Sequence, residues 1–229
     1  MSYQNVFSSI TKKVTTAIAG LFLIMFLMVH LGINLFILPI AENHQEMFAS
    51  AAHFMGTNWI IKVFEIVLMG AILIHVIIGI ILQLQNWAAR GQQQYKVRSR
   101  STTSFMSRYI IYTGIMILLF LAVHFYNFYF IKLGLVAAPD LANIAHPQEE
   151  HFYELAVYLF TNEIGYSVLY IVAFIFLGIH LNHAFQSAFQ TLGLNHKKYT
   201  PAIKMIGNLY SIVIPIGYIM IPLYFMIYG

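Results

Sequence analysis

The sequence predicts an all-α membrane protein that crosses a lipid bilayer five times. Of the 229 residues, 60% are hydrophobic and only 9% are charged, whereas a soluble domain carries about 25% charged residues. Five stretches without a charged residue each reach the roughly 20 residues that a helix needs to cross a bilayer. The chain has no cysteine, which excludes disulfides, thiolate metal sites and iron–sulfur clusters bound by this chain.

The charge-free stretches predict five spans within a single domain that covers residues 1–229. They occupy residues 14–41, 66–89, 109–131, 164–196 and 205–229. With helix ends added, the spans are expected at about 12–40, 58–89, 108–132, 163–194 and 203–228. The first stretch is too long for a signal peptide and lacks a small-residue cleavage site, so we expect it to be retained as a helix.

Lysine and arginine predict the orientation. With five spans and alternating loops, ten of the twelve basic residues fall on one side. These are Lys12, Lys13, Arg90, Lys96, Arg98, Arg100, Arg108, Lys197, Lys198 and Lys204. Only Lys62 and Lys132 fall on the other side, together with all eight acidic residues. Because cytoplasmic loops carry the excess of Lys and Arg, the N-terminus is expected in the cytoplasm and the C-terminus outside.

Histidines lie deep inside four of the five spans. Of the ten histidines in the chain, one falls in each of the first four spans, namely His30, His75, His124 and His180. Such an intramembrane ionisable residue marks a functional site by default. Each lies about 24–27 Å from the end at which its helix enters the membrane. Because alternate helices run in opposite directions, His30 and His124 share one level in the outer half of the membrane. His75 and His180 share a second level in the inner half, about 10–13 Å away.

Two pairs of facing histidines at two depths predict two haems, each held by one pair. Neutral imidazole is a common axial ligand of haem iron, and a four-helix bundle can hold a cofactor between facing side chains. Haems at this spacing would carry electrons across the membrane. The alternative is a proton path lined by histidines. A proton path usually needs carboxylates at intermediate depth, and only Glu65 approaches that depth.

Haem propionates are anionic and are expected to meet cations, hydroxyls or amides. Candidates at the inner level are Thr15, Thr16, Ser107 and Arg108. Candidates at the outer level are Lys132 and Asn34.

The residues around the deep histidines resemble a known family. The chain reads VHLGIN at 29–34, LIHVIIG at 73–79, AVHF at 122–125 and GIHLNHAFQSAFQTLGLNH at 178–196. In this order and spacing, with the Lys12–Lys13 pair and Gly20 ahead of them, these blocks resemble the di-haem cytochrome b membrane anchor of succinate:quinone oxidoreductase. This is the succinate dehydrogenase and fumarate reductase family, in its five-helix, single-subunit branch. The likeness covers essentially the whole chain, and the last block is the most specific.

The resemblance implies two haem b groups, with His30, His75, His124 and His180 as the four iron ligands. The family pairs the first helix with the third and the second with the fourth, which are the pairs that the depths also give. In the fourth helix the family's ligand precedes a small residue by four positions. That residue is Ala184 here, which favours His180 over His183.

The resemblance also implies a membrane quinone, expected to be menaquinone, and two partner subunits. A flavoprotein subunit would oxidise succinate, and an iron–sulfur subunit would carry the electrons to this chain. The implied location is the cytoplasmic membrane of a bacterium, in contact with lipid and without nucleic acid. The oligomeric state of the complex stays open.

One residue departs from part of the family. Some fumarate reductases that oxidise menaquinol carry a glutamate two residues before the fourth ligand, where this chain has Gly178. This favours succinate oxidation with quinone reduction, and it leaves the proton route open. On the outer side, Glu65 and His44 are candidates for binding the quinone or carrying protons.

Two other functions stay open. One is a di-haem cytochrome that serves a different quinone-linked dehydrogenase. The other is a haem-free membrane anchor that conducts protons, which predicts no visible absorbance. A membrane di-metal oxygenase fits poorly, because such enzymes cluster their histidines near one surface and only His180 and His183 are close here.

Overall fold

Helices account for all the regular structure in the described residues. The computed structural model describes residues 8–90, 105–139 and 151–229, with side chains at 8–88, 110–139 and 151–229. In chain order the elements are α1 (Ser9–Asn34), a 3-10 turn (Leu35–Ile37), α2 (His44–Thr57), α3 (Trp59–Arg90), α4 (Phe105–His124), a π turn (Phe125–Tyr129), α5 (Phe130–Lys132), α6 (Phe152–Asn162), α7 (Ile164–Thr191) and α8 (Thr200–Tyr228).

Five of these helical segments are long and apolar enough to cross a membrane, so the predicted number of spans is confirmed. In the described part of the chain they are Ser9–Ile37, Trp59–Ala88, Ile110–Lys132, Ile164–Thr191 and Thr200–Tyr228. The chain is therefore an all-helical, multi-pass membrane protein. Lys96, Arg98 and Arg100, which contribute to the predicted orientation, lie outside the described residues, as do Asp140, Glu149 and Glu150.

Local signals set both ends of the first span. The Ser8 hydroxyl accepts a hydrogen bond from the Thr11 backbone N–H at 3.2 Å, which satisfies one of the free donors at the start of α1. The span ends at Ile37, short of the expected residue 40. Leu38 is extended, with φ −77° and ψ 146°, because a residue before proline is driven away from the helical region and Pro39 follows.

Two short helices cover the end of the bundle opposite the N-terminus. α2 lies between the first two spans, and α6 precedes α7. The two contact each other, with the His44 and Tyr153 rings 5.6 Å apart. Each buries an apolar face, including Phe48 on α2 and Leu155 on α6. His44, a candidate for binding the quinone or carrying protons, lies at the start of α2.

The first four spans contact one another in the order α3, α1, α7 and α4, and α3 also touches α4. This places α3 and α4 on either side of the central pair α1 and α7. The fifth span, α8, packs along α7 and also against α1.

The contact between α7 and α8 depends on two glycines. A Cβ atom at Gly178 would lie 2.9 Å from the Ser211 carbonyl oxygen, and one at Gly207 would lie 2.8 Å from the Phe185 ring. Both distances are too short for a real side chain, so only glycine lets the helices approach this closely. Gly178, the position at which the resemblance notes a missing glutamate, therefore faces α8.

The fifth span is also tied to the first by hydrogen bonds in the apolar interior. The Tyr218 hydroxyl donates to the Leu27 carbonyl at 2.8 Å, and the Tyr210 hydroxyl donates to the Ile24 carbonyl. Buried tyrosine hydroxyls need such partners. They fix α8 against the same helix that carries His30.

Candidate functional site

The four deep histidines form two pairs in the interior of the bundle. The imidazole rings of His75 on α3 and His180 on α7 have centroids 6.5 Å apart and planes inclined by 76°. The rings of His30 on α1 and His124 on α4 have centroids 5.9 Å apart and planes inclined by 81°. These are the two pairs that the depth argument predicts.

The ring spacing suits one metal ion between the members of each pair. A metal–imidazole bond is about 2 Å long and the ring centre lies roughly 1.1 Å behind the nitrogen, so two imidazoles on opposite sides of one metal have centres roughly 6.2 Å apart. The observed 5.9 and 6.5 Å lie on either side of this value. The described residues contain no group of three or more His, Cys, Asp or Glu side chains that could hold a metal. Two facing imidazoles at this spacing are also what a bis-histidine haem site requires of the protein, since the macrocycle supplies the other ligands of haem iron.

The Nδ1 atoms of the His75/His180 pair face hydrogen-bond acceptors. Nδ1 of His75 lies 3.3 Å from the Thr16 carbonyl oxygen. Nδ1 of His180 lies 3.1 Å from the Thr113 hydroxyl, which itself donates to the Ile110 carbonyl at 2.8 Å. Histidines that bind metals usually donate their second ring N–H in this way, which leaves Nε2 free for the metal.

The His30/His124 pair has longer contacts at the same atoms. Nδ1 of His30 lies 3.4 Å from the Asn34 amide nitrogen, which also donates to the His30 carbonyl at 2.7 Å. Nδ1 of His124 lies 3.4 Å from the Tyr170 hydroxyl, and the buried Asn127 amide lies 3.4 Å from that hydroxyl on its other side. An amide nitrogen only donates hydrogen bonds, so the Asn34 contact does not hold a proton on Nδ1 of His30, and this pair lacks the acceptor arrangement of the His75/His180 pair.

Two glycines make room for the rings of the His75/His180 pair. A Cβ atom at Gly20 would lie 3.2 Å from Cε1 of His75, and one at Gly114 would lie 3.6 Å from Cε1 of His180. Gly20 precedes His30 by ten residues, and Gly114 precedes His124 by ten residues. Each of α1 and α4 thus supplies a histidine to one pair and a glycine to the other.

The same spacing gives the separation between the pairs. Ten residues along α1 or α4 correspond to about 15 Å at 1.5 Å per residue. This is somewhat larger than the expected separation of about 10–13 Å. That expectation measures depth from the charged residues at the helix ends, whereas Gly20 and Gly114 mark the level of the second pair directly.

The chain changes its helical geometry immediately after His124. Phe125–Tyr129 forms a π turn before α5. Such wider turns are rare, and they frequently occur at functional sites. In this turn the Asn127 side chain is buried and contacts the Tyr170 hydroxyl.

Aromatic rings surround the His30/His124 pair. Phe26 stacks on His30 with ring centroids 5.0 Å apart, and Phe120 stacks on His124 at 5.7 Å. The Tyr218 ring of α8 lies 6.1 Å from the His30 ring. The fifth span therefore reaches this pair, although it carries no histidine.

An ion pair between α3 and α5 forms part of the wall of a cavity near the opposite end of the bundle. Lys132 Nζ lies 3.2 Å from Glu65 Oε2, and both side chains are about one quarter exposed, at 24% and 27%. The cavity has a volume of about 420 Å³. It is lined by Gly56, Lys62, Glu65, Ile66, Met69, Tyr129 and Lys132. Glu65 lies ten residues before His75 on α3, about 15 Å along the helix, and therefore near the level of the His30/His124 pair.

Comparison with known proteins gives no relative for this chain. No protein-family model, curated protein or solved structure matches it. The candidate site therefore stands on the residues and their geometry.

The structure places the remaining predicted site residues as follows, and their expected roles stay predictions. Thr16 and Asn34, both propionate candidates, contact His75 and His30 respectively. His44 lies outside the lining of the Glu65 cavity, and its Nδ1 faces the Phe36 carbonyl at 3.1 Å. The propionate candidates Ser107 and Arg108 lie within α4, and the side chains of both are outside the described residues.

Three polar residues that belong to the site are not among the residues that the sequence predicts. They are Thr113, Asn127 and Tyr170, which are 5%, 6% and 2% exposed. Their signal in the sequence is a hydrogen-bonding side chain inside an apolar span. That signal is weak, because other threonines and tyrosines also occur in the spans and most of them have no histidine partner.

Proposed function

We propose that this chain is the membrane anchor and electron-transfer subunit of a succinate:quinone oxidoreductase. It would pass electrons from an iron–sulfur partner subunit through two b haems to a membrane quinone. The proposal rests on the two histidine pairs. Four different spans contribute these histidines at two levels, and the ring spacing within each pair suits one iron atom. The sequence blocks around the same histidines resemble the corresponding subunits.

The donor set favours haem over a metal ion held by protein alone. Each pair offers two imidazoles, and in the His75/His180 pair the acceptors at Nδ1 hold each ring with Nε2 available. When bound, haem b supplies one-electron transfer between its ferric and ferrous states. The chain's own residues orient the four imidazoles, and Gly20 and Gly114 leave space beside two of them.

The partner subunits are implied by the resemblance, which assigns succinate oxidation to a flavoprotein and the clusters to an iron–sulfur subunit. The lack of cysteine is consistent with this, because this chain cannot bind an iron–sulfur cluster through thiolates. The excess of Lys and Arg at the N-terminal end of the bundle orients that end towards the cytoplasm, in the cytoplasmic membrane of a bacterium. Electrons from the partners would then reach the haem of the His75/His180 pair first.

The Glu65 cavity is the best candidate for the quinone. Its volume of about 420 Å³ falls within the usual range for small-molecule pockets, about 300–1,000 Å³. Apolar residues such as Ile66 and Met69 suit a quinone ring, and Tyr129, Lys132 and Glu65 offer groups that can donate to its oxygens or exchange protons. Menaquinone is the quinone that the resemblance favours.

The decisive test is a difference spectrum of the purified membrane complex. We expect the dithionite-reduced minus air-oxidised spectrum to show b-type haem, and pyridine haemochrome analysis to give two haems per chain. Succinate should reduce at least part of this haem. Haem that only a different substrate reduces would indicate another quinone-linked dehydrogenase. A folded, partner-bound preparation without a Soret band would contradict haem binding and favour the proton path.

A single methyl group beside His75 should disturb one haem and leave the other unchanged. In Gly20→Ala the new methyl lies 3.2 Å from Cε1 of His75, so the ring must move by a few tenths of an ångström. We expect a shifted midpoint potential for the haem of the His75/His180 pair, measured by potentiometric titration of the visible spectrum.

Gly32→Ala is the matched control for this variant. It lies on the same helix, and a Cβ atom there meets nothing within 4 Å. Both substitutions change helix propensity equally, by about 1 kcal/mol, so a difference between them reports the contact with His75. Equal potentials in the two variants would contradict the proposed ring position.

A further inference from the structure

One buried hydroxyl lies between a backbone carbonyl and an imidazole of the His75/His180 pair. Thr113 is 5% exposed. Its hydroxyl donates to the Ile110 carbonyl at 2.8 Å and lies 3.1 Å from Nδ1 of His180. A hydroxyl has a single proton to donate. With that proton directed at Ile110, the oxygen is left to accept from Nδ1–H of His180, for which the Ile110 carbonyl is a second acceptor nearby.

We propose that Thr113 is the positioning residue for His180. By accepting from Nδ1–H, it fixes the tautomer in which Nε2 carries the lone pair, and it holds the ring in the orientation that faces His75. The inference rests on the proposed function, because the tautomer matters only when Nε2 binds haem iron. Nothing in this role requires Thr113 to touch the haem.

The other three histidines show why Thr113 stands out. The partner of His75 is a backbone carbonyl, which no side-chain substitution removes. The partners of His30 and His124 are an amide nitrogen and a phenol hydroxyl, each at 3.4 Å. Among the described partners of the four Nδ1 atoms, Thr113 is the side chain with the shortest contact and with an acceptor role fixed by its own hydrogen bond.

The acceptor should also influence the redox equilibrium of the iron. A hydrogen bond from Nδ1–H makes the imidazole a stronger electron donor, and this stabilises the ferric state relative to the ferrous state. Loss of the acceptor should therefore raise the midpoint potential of this haem. Removing a partner of a metal ligand typically changes an equilibrium by roughly 10-fold or more, and for one electron 10-fold corresponds to about 59 mV.

The test uses Thr113→Val in the complete membrane complex. Valine keeps the shape of threonine and removes the oxygen. Pyridine haemochrome analysis measures haem per chain, and potentiometric titration measures the two potentials. The relevant component is identified as the one missing from His180→Ala. We expect two haems, with the ferrous-to-ferric ratio of this component raised roughly 10-fold at a fixed potential, and the other component unchanged.

Two further variants separate positioning from general loss of packing. Thr113→Ser retains the hydroxyl and should restore the wild-type potential. Ser167→Ala removes a hydroxyl that is 0% exposed and donates to the Phe160 carbonyl at 2.9 Å, and it should move neither potential. If Thr113→Val does not assemble, Thr113→Ala removes the same acceptor with less bulk and should give the same shift.

The outcomes distinguish this inference from the proposed function. A wild-type complex without haem contradicts the proposed function. Two haems with an unchanged potential in Thr113→Val, or a serine variant that behaves like valine, contradicts the role of Thr113 alone. Loss of one haem in Thr113→Val and its retention in Thr113→Ser supports the same role, since the hydroxyl would then be needed to hold the ligand.

Discussion

Replacing His180 by alanine is expected to remove one of the two haems from each chain and to leave the other spectroscopically intact. The reason is geometric. His180 faces His75 across 6.5 Å between ring centroids, whereas the rings of His30 and His124 face each other at 5.9 Å. His75 and His180 would hold this haem together, so in His180→Ala only His75 of the pair would remain to bind it, and the site should lose its haem.

The four single-histidine variants should fall into two classes. His75→Ala should lose the same spectral component as His180→Ala, and His30→Ala should lose the same component as His124→Ala. Pyridine haemochrome analysis would give one haem per chain in all four, and potentiometric titration would identify the missing component. Any other grouping, such as His75 with His124, would contradict the pairs.

His183→Ala is the matched control for this series. His183 lies three residues after His180 on the same helix, within the block at 178–196. It belongs to neither pair, so the variant should keep both haems. Retention of both haems in His180→Ala and loss of one in His183→Ala would transfer the ligand role to His183.

The succinate-reduced spectrum of the same variants bears on the direction of electron flow. In the proposed orientation, with the N-terminal end of the bundle in the cytoplasm, the haem proposed for the His75/His180 pair would be the nearer one to the proposed partner subunits. Its loss should slow the reduction of the remaining haem by succinate. Loss of the other haem should leave the first one reducible by succinate, and the reverse pattern would contradict the proposed orientation.

The sequence predicts well how deep each histidine lies in the membrane, and it predicts poorly how each helix is rotated about its own axis. A helix rises by a constant 1.5 Å per residue, so counting residues from the charged ends is enough to give His30 and His124 one level. Whether two rings at one level face each other depends on how each helix is rotated and packed. That depends on contacts such as Gly20 with His75, which join residues distant in the chain.

The role of the fifth span shows the same limit. It carries no histidine, and the sequence predicts a functional bundle of four helices without it. In the structure, Tyr218 donates to the Leu27 carbonyl and its ring approaches His30. No sequence pattern identifies the hydrogen-bond acceptor of a tyrosine in an apolar span, because the acceptor is a backbone carbonyl and every residue carries one.

Short helices outside the membrane are also difficult to predict from hydropathy. α2 is less apolar than the spans, and charged or polar residues such as Glu46 and His53 interrupt it. It is stabilised by tertiary packing of Phe48 and Ala52, which are 4% and 7% exposed. The separation between the spans therefore predicts a loop, and only the packed structure identifies a helix.

Replacing Glu65 by glutamine is expected to abolish most quinone reduction and to leave both haems in place. Glu65 pairs with Lys132 at 3.2 Å at the wall of the cavity proposed for the quinone. Reduction of a quinone consumes two protons, and a carboxylate beside the quinone can bind protons from solution and pass them on one at a time, whereas an amide cannot. A positioned acid or base typically contributes about 10²–10⁴-fold to a rate, so we expect succinate:quinone reductase activity to fall at least about 100-fold.

The controls for this variant separate proton transfer from the ion pair and from surface charge. Lys132→Gln breaks the same ion pair and keeps the carboxylate, so its loss of activity should be smaller. Glu46→Gln removes an exposed acid from α2 at the same end of the bundle, and it should leave activity unchanged. In Glu65→Gln, succinate should still reduce the haems and an artificial electron acceptor should still be reduced at the normal rate.

Quinone reduction at the wild-type rate in Glu65→Gln would exclude this carboxylate as the proton donor. An equal loss in Lys132→Gln would instead assign the effect to the ion pair or to the lysine at the cavity wall, and not to the carboxylate alone. Glu65 and Lys132 lie 67 residues apart in the sequence and contact each other only in the folded bundle. A difference between the variants therefore reports the chemistry of the carboxylate, since both remove the same contact between the helices.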